Sequence, residues 1–124
     1  MLLRSDSMKV KRIVTNIYTE QTAAAKQFYQ EILGLDFLMD LGWITTYGNH
    51  EKMDVQISFM SEGGNSTEVP DISIEVDDVE EALNRMKEAG FTIDYGPADE
   101  PWGVRRFFVR DPFNKLVNIL AHKS

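Results

Sequence analysis

Residues 71–90 read DISIEVDDVEEALNRMKEAG, a stretch that encodes a strand followed directly by a helix. Apolar and polar residues alternate over 72–76, as is typical of a half-buried β-strand. Asp78, with Glu81 three residues later, forms a capping box that predicts the start of a helix. Apolar residues then recur at helical spacing until Gly90, which is well suited to end the helix.

The same pattern precedes this stretch, so the sequence indicates an internal duplication. A strand over 10–18 is followed by a helix that runs to about Leu33, with Ala24, Ala25, Phe28 and Ile32 on one apolar stripe. Further strands are predicted at 35–39, 43–47 and 55–59 in the first half, and at 91–95, 104–110 and 116–121 in the second, where 96–103 is a predicted loop. The polar, glycine-containing segment 61–70 is the predicted linker.

We therefore expect one domain over residues 8–122, built from two βαβββ repeats at about 8–61 and 70–122. Residues 1–7 are expected to form a disordered N-terminal extension. Each helix can cover only one face of its sheet. The predicted fold is thus α+β, with two βαβββ modules forming a curved, open mixed β-sheet cup and the helices outside. Alternation places the following residues on the helix-free faces: Val14, Asn16, Tyr18, Gln56, Ser58, Asp71, Ser73, Glu75, Leu116, Asn118 and Leu120.

Composition narrows the classes of partner. The formal net charge is −7, which argues against nucleic acid because phosphate binding needs a basic surface. No apolar run approaches the roughly 20 residues of a membrane span. The chain has no cysteine and no secretory leader, which favours a cytoplasmic protein.

Three motifs, in order, resemble the vicinal oxygen chelate superfamily, also called the glyoxalase, bleomycin resistance and extradiol dioxygenase superfamily. They are AKQFY at 25–29 with ILGL at 32–35, DISIEVDD at 71–78, and PWGVRRFFVRDP at 101–112. The resemblance covers nearly all of residues 8–122. Asn114 departs from it, standing where the family has glycine in a turn, but asparagine tolerates the left-handed conformation well.

The resemblance also implies where a metal would bind. Metal-dependent members place His, Gln or Glu at positions that fall at or next to Val14, near Gln56 or Ser58, at Asp71 and at Asn118. Only one of these residues is a carboxylate and none is histidine, whereas a divalent site of this kind needs about three good ligands. We predict no metal cofactor; a divalent ion, if bound, would use Gln56, Asp71 and Asn118.

No catalytic pair stands out in the sequence. His50 and His122 are predicted to be exposed, one in a loop and the other near the C-terminus. Asp71 and Glu75 share a predicted face and could act as an acid–base pair if burial raised one pKa, although a surface pair explains them equally well.

The expected function is metal-independent binding of a small organic molecule, including cationic aromatic antibiotics, in the cup. This resembles the bleomycin-resistance branch, which sequesters a drug without chemistry and implies a homodimer. The alternative is a metal-dependent glyoxalase-type lyase, isomerase or dioxygenase, and a third possibility is action through a protein partner. The predicted ligand-binding residues are Tyr18, Trp43, Tyr47, Gln56, Asp71, Glu75, Trp102, Phe108 and Asn118.

Overall fold

A computed structural model describes residues 8–32, 34–49 and 56–123. The predicted extension at 1–7, and the expectations for Leu33, His50 and Val55, lie outside the described residues. The elements are β1 (Val10–Tyr18), a 3₁₀ turn (Thr22–Ala24), a π-helical segment (Lys26–Ile32), β2 (Asp36–Asp40), β3 (Ile44–Gly48), β4 (Gln56–Met60), β5 (Ile72–Val76), α1 (Val79–Glu88), β6 (Ile93–Glu100), β7 (Val104–Arg110) and β8 (Leu116–His122). The predicted α+β class is confirmed.

The chain forms two compact units. The first unit spans residues 14–72, and the second combines the described residues of 1–13 with those of 73–124. The strand order is β1-β4-β3-β2 within the first unit and β5-β8-β7-β6 within the second. In each unit the strand before the helix therefore lies beside the last strand, which is the repetition that the sequence pattern predicts.

The first unit has an aromatic core between the helical segment and the sheet. Tyr47 is 1% exposed, and its ring centroid lies 6.2 Å from that of Phe59 and 5.5 Å from that of Phe37. Tyr29, from the π-helical segment, packs on Phe59 at 4.8 Å. β1 runs parallel to β4, with Asn16 opposite Ser58, so the even-numbered residues of β1 and β4 point away from this core.

The first helix differs from its prediction. A 3₁₀ turn and a π-helical segment replace one regular α-helix, and Phe28 and Ile32 are 56% and 67% exposed. The predicted apolar stripe is therefore wrong: Ala24 is exposed as well, Ala25 is half-buried, and neither of the two helical segments that the structure describes has a buried residue. The i→i+5 turn of a π-helix is wider than an α-helical turn and changes which residues of the segment meet the sheet. Tyr29 packs against Phe59 of β4, whereas Phe28 and Ile32 lie on the exposed side.

In the second unit, α1 begins as predicted. The Asp78 side chain accepts a hydrogen bond from the backbone N–H of Glu81 at 3.1 Å, which caps the helix. Val79, Ala82 and Leu83 are buried. Glu80 on α1 pairs with Arg105 of β7, so Arg105 marks the sheet face that α1 covers. No helix in the described part of the chain is long and apolar enough to cross a membrane.

β6 extends through the segment predicted to be a loop. It runs from Ile93 to Glu100, with irregular pairing to β7 between Tyr95 and Ala98. Gly96 lies at this irregularity with a φ of 80°, and a Cβ there would meet the Arg106 carbonyl oxygen at 2.6 Å. The loop prediction is wrong up to Glu100, because a bulge accommodates a glycine and a proline that would otherwise end a strand.

Candidate functional site

The helix-free face of the second unit carries a group of polar side chains. We use this term for the sheet face opposite Arg105, and alternation along the strands places six polar residues on it: Ser73, Glu75, Arg106, Arg110, Asn118 and His122. Phe108 shares this face and is the cross-strand partner of Asn118 in the β7–β8 pair. The predicted positions of Glu75, Phe108 and Asn118 within their strands therefore agree with the structure.

Asn118 is buried with one polar atom unsatisfied. The residue is 8% exposed, and its Nδ2 donates a hydrogen bond to Ser73 Oγ at 3.1 Å. Its Oδ1 is buried and has no hydrogen-bond partner among the described residues. An unsatisfied buried acceptor costs about 1–3 kcal/mol. Most such groups in proteins have a partner, so Oδ1 points to a missing donor.

Glu75 is surrounded by basic groups from its own unit. Its Oε1 accepts a hydrogen bond from Arg12 Nε at 2.6 Å, and its Oε2 lies 2.9 Å from His122 Nδ1 and 3.6 Å from Lys11 Nζ. Burial acts to raise the pKa of Glu75, but hydrogen bonds from His122 and Arg12 outweigh it and leave that pKa below its ordinary value. Burial therefore does not raise this pKa as acid–base chemistry by Glu75 would need, and both oxygens already have partners.

Asp71 does not lie in a strand. It is exposed and directly precedes β5, and its carbonyl oxygen accepts a hydrogen bond from the Asn16 backbone N–H at 3.0 Å. Asp71 belongs to the first unit and Glu75 to the second, so the predicted carboxylate pair is not brought together within one unit.

Arg106 occupies the aromatic surface that was predicted to bind a ligand. Its guanidinium carbon lies 4.7 Å from the ring centroid of Phe108, 5.0 Å from that of Trp102 and 5.2 Å from that of Tyr95. Glu100 Oε2 lies 2.6 Å from both Nε and Nη2 of Arg106, and it also accepts the Tyr95 hydroxyl at 3.0 Å. The protein thus fills this cation-binding aromatic cluster with its own arginine.

The other predicted site residues lie in the first unit. Tyr47 belongs to the aromatic core and faces the helical segment. Tyr18 is 58% exposed, and the hydrogen bond between its hydroxyl and Glu20 raises its pKa. Trp43 is half-buried just before β3, with its carbonyl oxygen bound by the Ser61 N–H at 2.9 Å, and Gln56 is half-buried at the start of β4.

The potential metal ligands do not suit a divalent ion. Gln56 and Asn118 are uncharged amides, and the Asn118 amide already donates to Ser73. Gln56 and Asp71 lie in one unit and Asn118 in the other. Among residues 8–32, 34–49 and 56–123, no three His, Cys, Asp or Glu side chains are grouped so that they could hold a metal ion. A hard divalent cation prefers several carboxylate or carbonyl oxygens, which this set does not supply.

Sequence reasoning missed two features of this face. His122 was predicted to be an exposed residue without a role, yet it binds Glu75; its position four residues after Asn118 on one strand already places both on one face. Arg106 was not considered because a charged residue within an aromatic strand gives no signal of its own. Glu100, its partner, was hidden in the predicted loop.

Comparisons with known proteins give a family and a fold. The sequence profile of the Glyoxalase/Bleomycin resistance protein/Dioxygenase superfamily matches residues 9–119. No curated protein sequence matches the chain.

Solved structures that are similar to this chain share its fold at low sequence identity. A protein described as an NAD-dependent benzaldehyde dehydrogenase from Legionella pneumophila has a TM-score of 0.72 at 14% identity, covering 90% of this chain and 100% of the other. Methylmalonyl-CoA epimerase from Mycobacterium tuberculosis has a TM-score of 0.64 at 12% identity, covering 99% and 94%. A glyoxalase/bleomycin resistance protein/dioxygenase superfamily member from Vibrio splendidus 12B01 has a TM-score of 0.59 at 16% identity, covering 91% and 99%.

Proposed function

Because the chain belongs to the Glyoxalase/Bleomycin resistance protein/Dioxygenase superfamily, we propose that it binds a small organic molecule without a metal ion, on the helix-free face of the second unit. The names of its structural neighbours do not specify the ligand, since identities of 12–16% show a shared fold alone. The proposal therefore depends on the chemistry of this face.

The observation that carries the proposal is the unsatisfied Oδ1 of Asn118. It is an acceptor, so the group that it would bind is a donor: a hydroxyl, an amide N–H or an amine. A fixed, desolvated acceptor discriminates strongly against molecules that lack the donor, because Oδ1 would then stay unpaired. We assign Asn118 the role of orienting the ligand.

The aromatic cluster bears on the charge of the ligand. Arg106 already lies against the rings of Trp102 and Phe108, so a cationic aromatic molecule would compete with a buried positive charge for the same ring faces. Glu100 balances that charge, which leaves no surplus negative charge from this pair to attract a cation. The structure therefore favours a neutral donor over the cationic aromatic drug expected from the resemblance.

The proposal is tested by a thermal-shift screen of neutral alcohols, amides and hydroxyketones beside a matched set of cationic aromatics, each with and without a chelator. We expect hits among the neutral donors that survive the chelator and disappear in Asn118→Leu. Asn84→Leu changes the same residue type at an exposed position of α1, and it should keep every hit.

Two results would contradict the proposal. Hits that vanish with the chelator and return with a divalent ion would favour the metal-dependent enzyme, and hits that Asn118→Leu leaves unchanged would remove Asn118 from the site. The homodimer implied by the resemblance remains a separate proposal, which light scattering tests directly.

A further inference from the structure

A histidine and a buried carboxylate form a pair at the end of β8. His122 Nδ1 lies 2.9 Å from Glu75 Oε2, and the His122 side chain is 51% exposed while that of Glu75 is 9% exposed. An ionised carboxylate can only accept a hydrogen bond, so Nδ1 carries the proton in this contact. The neutral ring then has its lone pair on Nε2.

The second ring nitrogen is available for chemistry. Among the described residues, the His122 side chain makes its polar contact with Glu75 alone, and it does so through Nδ1. Its Nε2 therefore has no bonding partner among the residues that the structure describes. Glu75 is held in turn by Arg12 Nε at 2.6 Å, so the carboxylate that orients the ring is itself fixed. A base oriented by a third group, with an open nitrogen, is the arrangement used in general base catalysis.

A positive charge lies next to the carboxylate that orients this base. Lys11 Nζ is 3.6 Å from Glu75 Oε2, and the lysine side chain is 56% exposed. Arg12, the next residue of β1, contacts the other oxygen of Glu75 at 2.6 Å. Lys11 and His122 contact the same Glu75 oxygen, so one carboxylate holds both a proton acceptor and an accessible cation. The acceptor can take the proton of an attacking water, and the cation can stabilise the oxyanion that develops on an acyl group.

We propose that Glu75 and His122 form a proton-transfer site that promotes hydrolysis of small neutral carboxylic esters. His122 Nε2 takes the proton of a water molecule as the water oxygen forms a bond to the ester carbon. The ester C–O bond then breaks, and the alcohol leaves with the proton that Nε2 returns. The inference extends the proposed function by giving the same face a reaction, and it needs no ligand at Asn118.

The test measures hydrolysis of 4-nitrophenyl acetate by the full chain across a pH series. We expect His122→Gln to lower the protein-catalysed rate by about tenfold or more. General acid–base catalysis contributes roughly 10²–10⁴-fold to natural reactions, and the effect expected here is smaller because the ester is only a probe. His50→Gln removes the other histidine of the chain and should leave the rate unchanged. An equal rate in wild type and His122→Gln would overturn the proposal.

Glu75→Gln tests Glu75 as a positioning residue. It keeps a hydrogen-bond acceptor for Nδ1 but removes the negative charge that stabilises the imidazolium formed when Nε2 takes a proton, so the rate should fall although His122 is unchanged. Nitrogen-15 NMR of the imidazoles should show the Nδ1–H form for His122 in wild type. An Nε2–H form in the wild type, or a rate that Glu75→Gln leaves unchanged, would contradict the pairing.

The two proposals fail in separable ways. The ester assay contains no ligand from the thermal-shift screen, so a rate that depends on His122 stands even if Asn118→Leu changes no hit. Circular dichroism of each variant tests whether a lower rate results from unfolding. His122→Asn provides a second substitution at the same exposed position.

Discussion

The guanidinium carbon of Arg106 lies 5.0 Å from the ring centroid of Trp102, and Nη2 of the same guanidinium lies 2.6 Å from Glu100 Oε2. The side chains of Arg106 and Glu100 are only 3% and 1% exposed. A buried ion pair of this kind is weak evidence for added stability, but removing one partner leaves the other charged and desolvated.

We therefore expect Arg106→Met to destabilise the protein by about 3–5 kcal/mol, because Glu100 would lose its charge partner in the interior. Chemical denaturation gives the free energy of unfolding. Arg110→Met is the matched control on the same strand and face; its partner Asp94 is 31% exposed, and such a surface pair contributes at most about 1 kcal/mol. Adding Glu100→Gln should restore part of the loss, and a double variant no better than Arg106→Met would contradict the explanation.

Cationic aromatic drugs are expected to leave Trp102 fluorescence unchanged, because Arg106 already occupies its ring face. The chain has two tryptophans, so Trp43→Phe isolates the Trp102 signal. Titration of that variant with a cationic aromatic dye makes the measurement. Saturable quenching that disappears in Trp102→Phe would show that the cluster accepts an external cation after all.

The Glu75 cluster should make stability fall in acid. The pKa of Glu75 is lower in the folded chain than its ordinary value of 4.5, so its contribution is complete above that value and is lost as pH falls through the lower, folded pKa. Denaturation at a series of pH values below neutral should show a loss that is smaller in Glu75→Gln. Glu88→Gln, at the exposed end of α1, should keep the wild-type pH slope; the same slope in both variants would sink the assignment.

Asn118→Leu should leave the free protein as stable as wild type or raise its free energy of unfolding by up to about 1 kcal/mol. The substitution removes a buried acceptor that has no described partner, and that gain offsets the lost hydrogen bond to Ser73. Thermal unfolding without ligand measures the change. A loss of several kcal/mol would mean that Oδ1 has a structural partner, and the argument for a ligand there would end.

The sequence predicts the elements of the second unit more closely than those of the first. Its alternating strand and N-cap residue are local signals: the strand is present at Ile72–Val76, and the Asp78 side chain caps α1. The prediction of the first helix is wrong because its apolar residues are spaced as in an α-helix, whereas the chain forms a π-helical segment. Phe28 and Ile32 are exposed in that segment. The strand predicted at 91–95 ends too early because a glycine and a proline end most strands. In the structure a bulge lets β6 continue past them.

Alternation predicts some strand faces but not the contacts made on them, and it fails for Tyr47, which belongs to the aromatic core. Alternation correctly places Asn118 and Glu75 on the face that α1 leaves uncovered. It carries no information about long-range contacts, such as those of Arg12 and His122 with Glu75, 63 and 47 residues away. The aromatic residues were predicted to form open ligand-binding surfaces because a sequence does not reveal that Arg106 already lies against them.

β1 belongs to both compact units, since residues 10–13 group with the second and 14–18 with the first. The two repeats are therefore not separable by cutting at the linker between them. A fragment starting at residue 70 would lack Lys11 and Arg12 and leave Glu75 with His122 as its described partner. The duplication is thus a pattern in the sequence and does not mark two separable folding units. A fragment that folds on its own would have to combine the first thirteen residues with the C-terminal half.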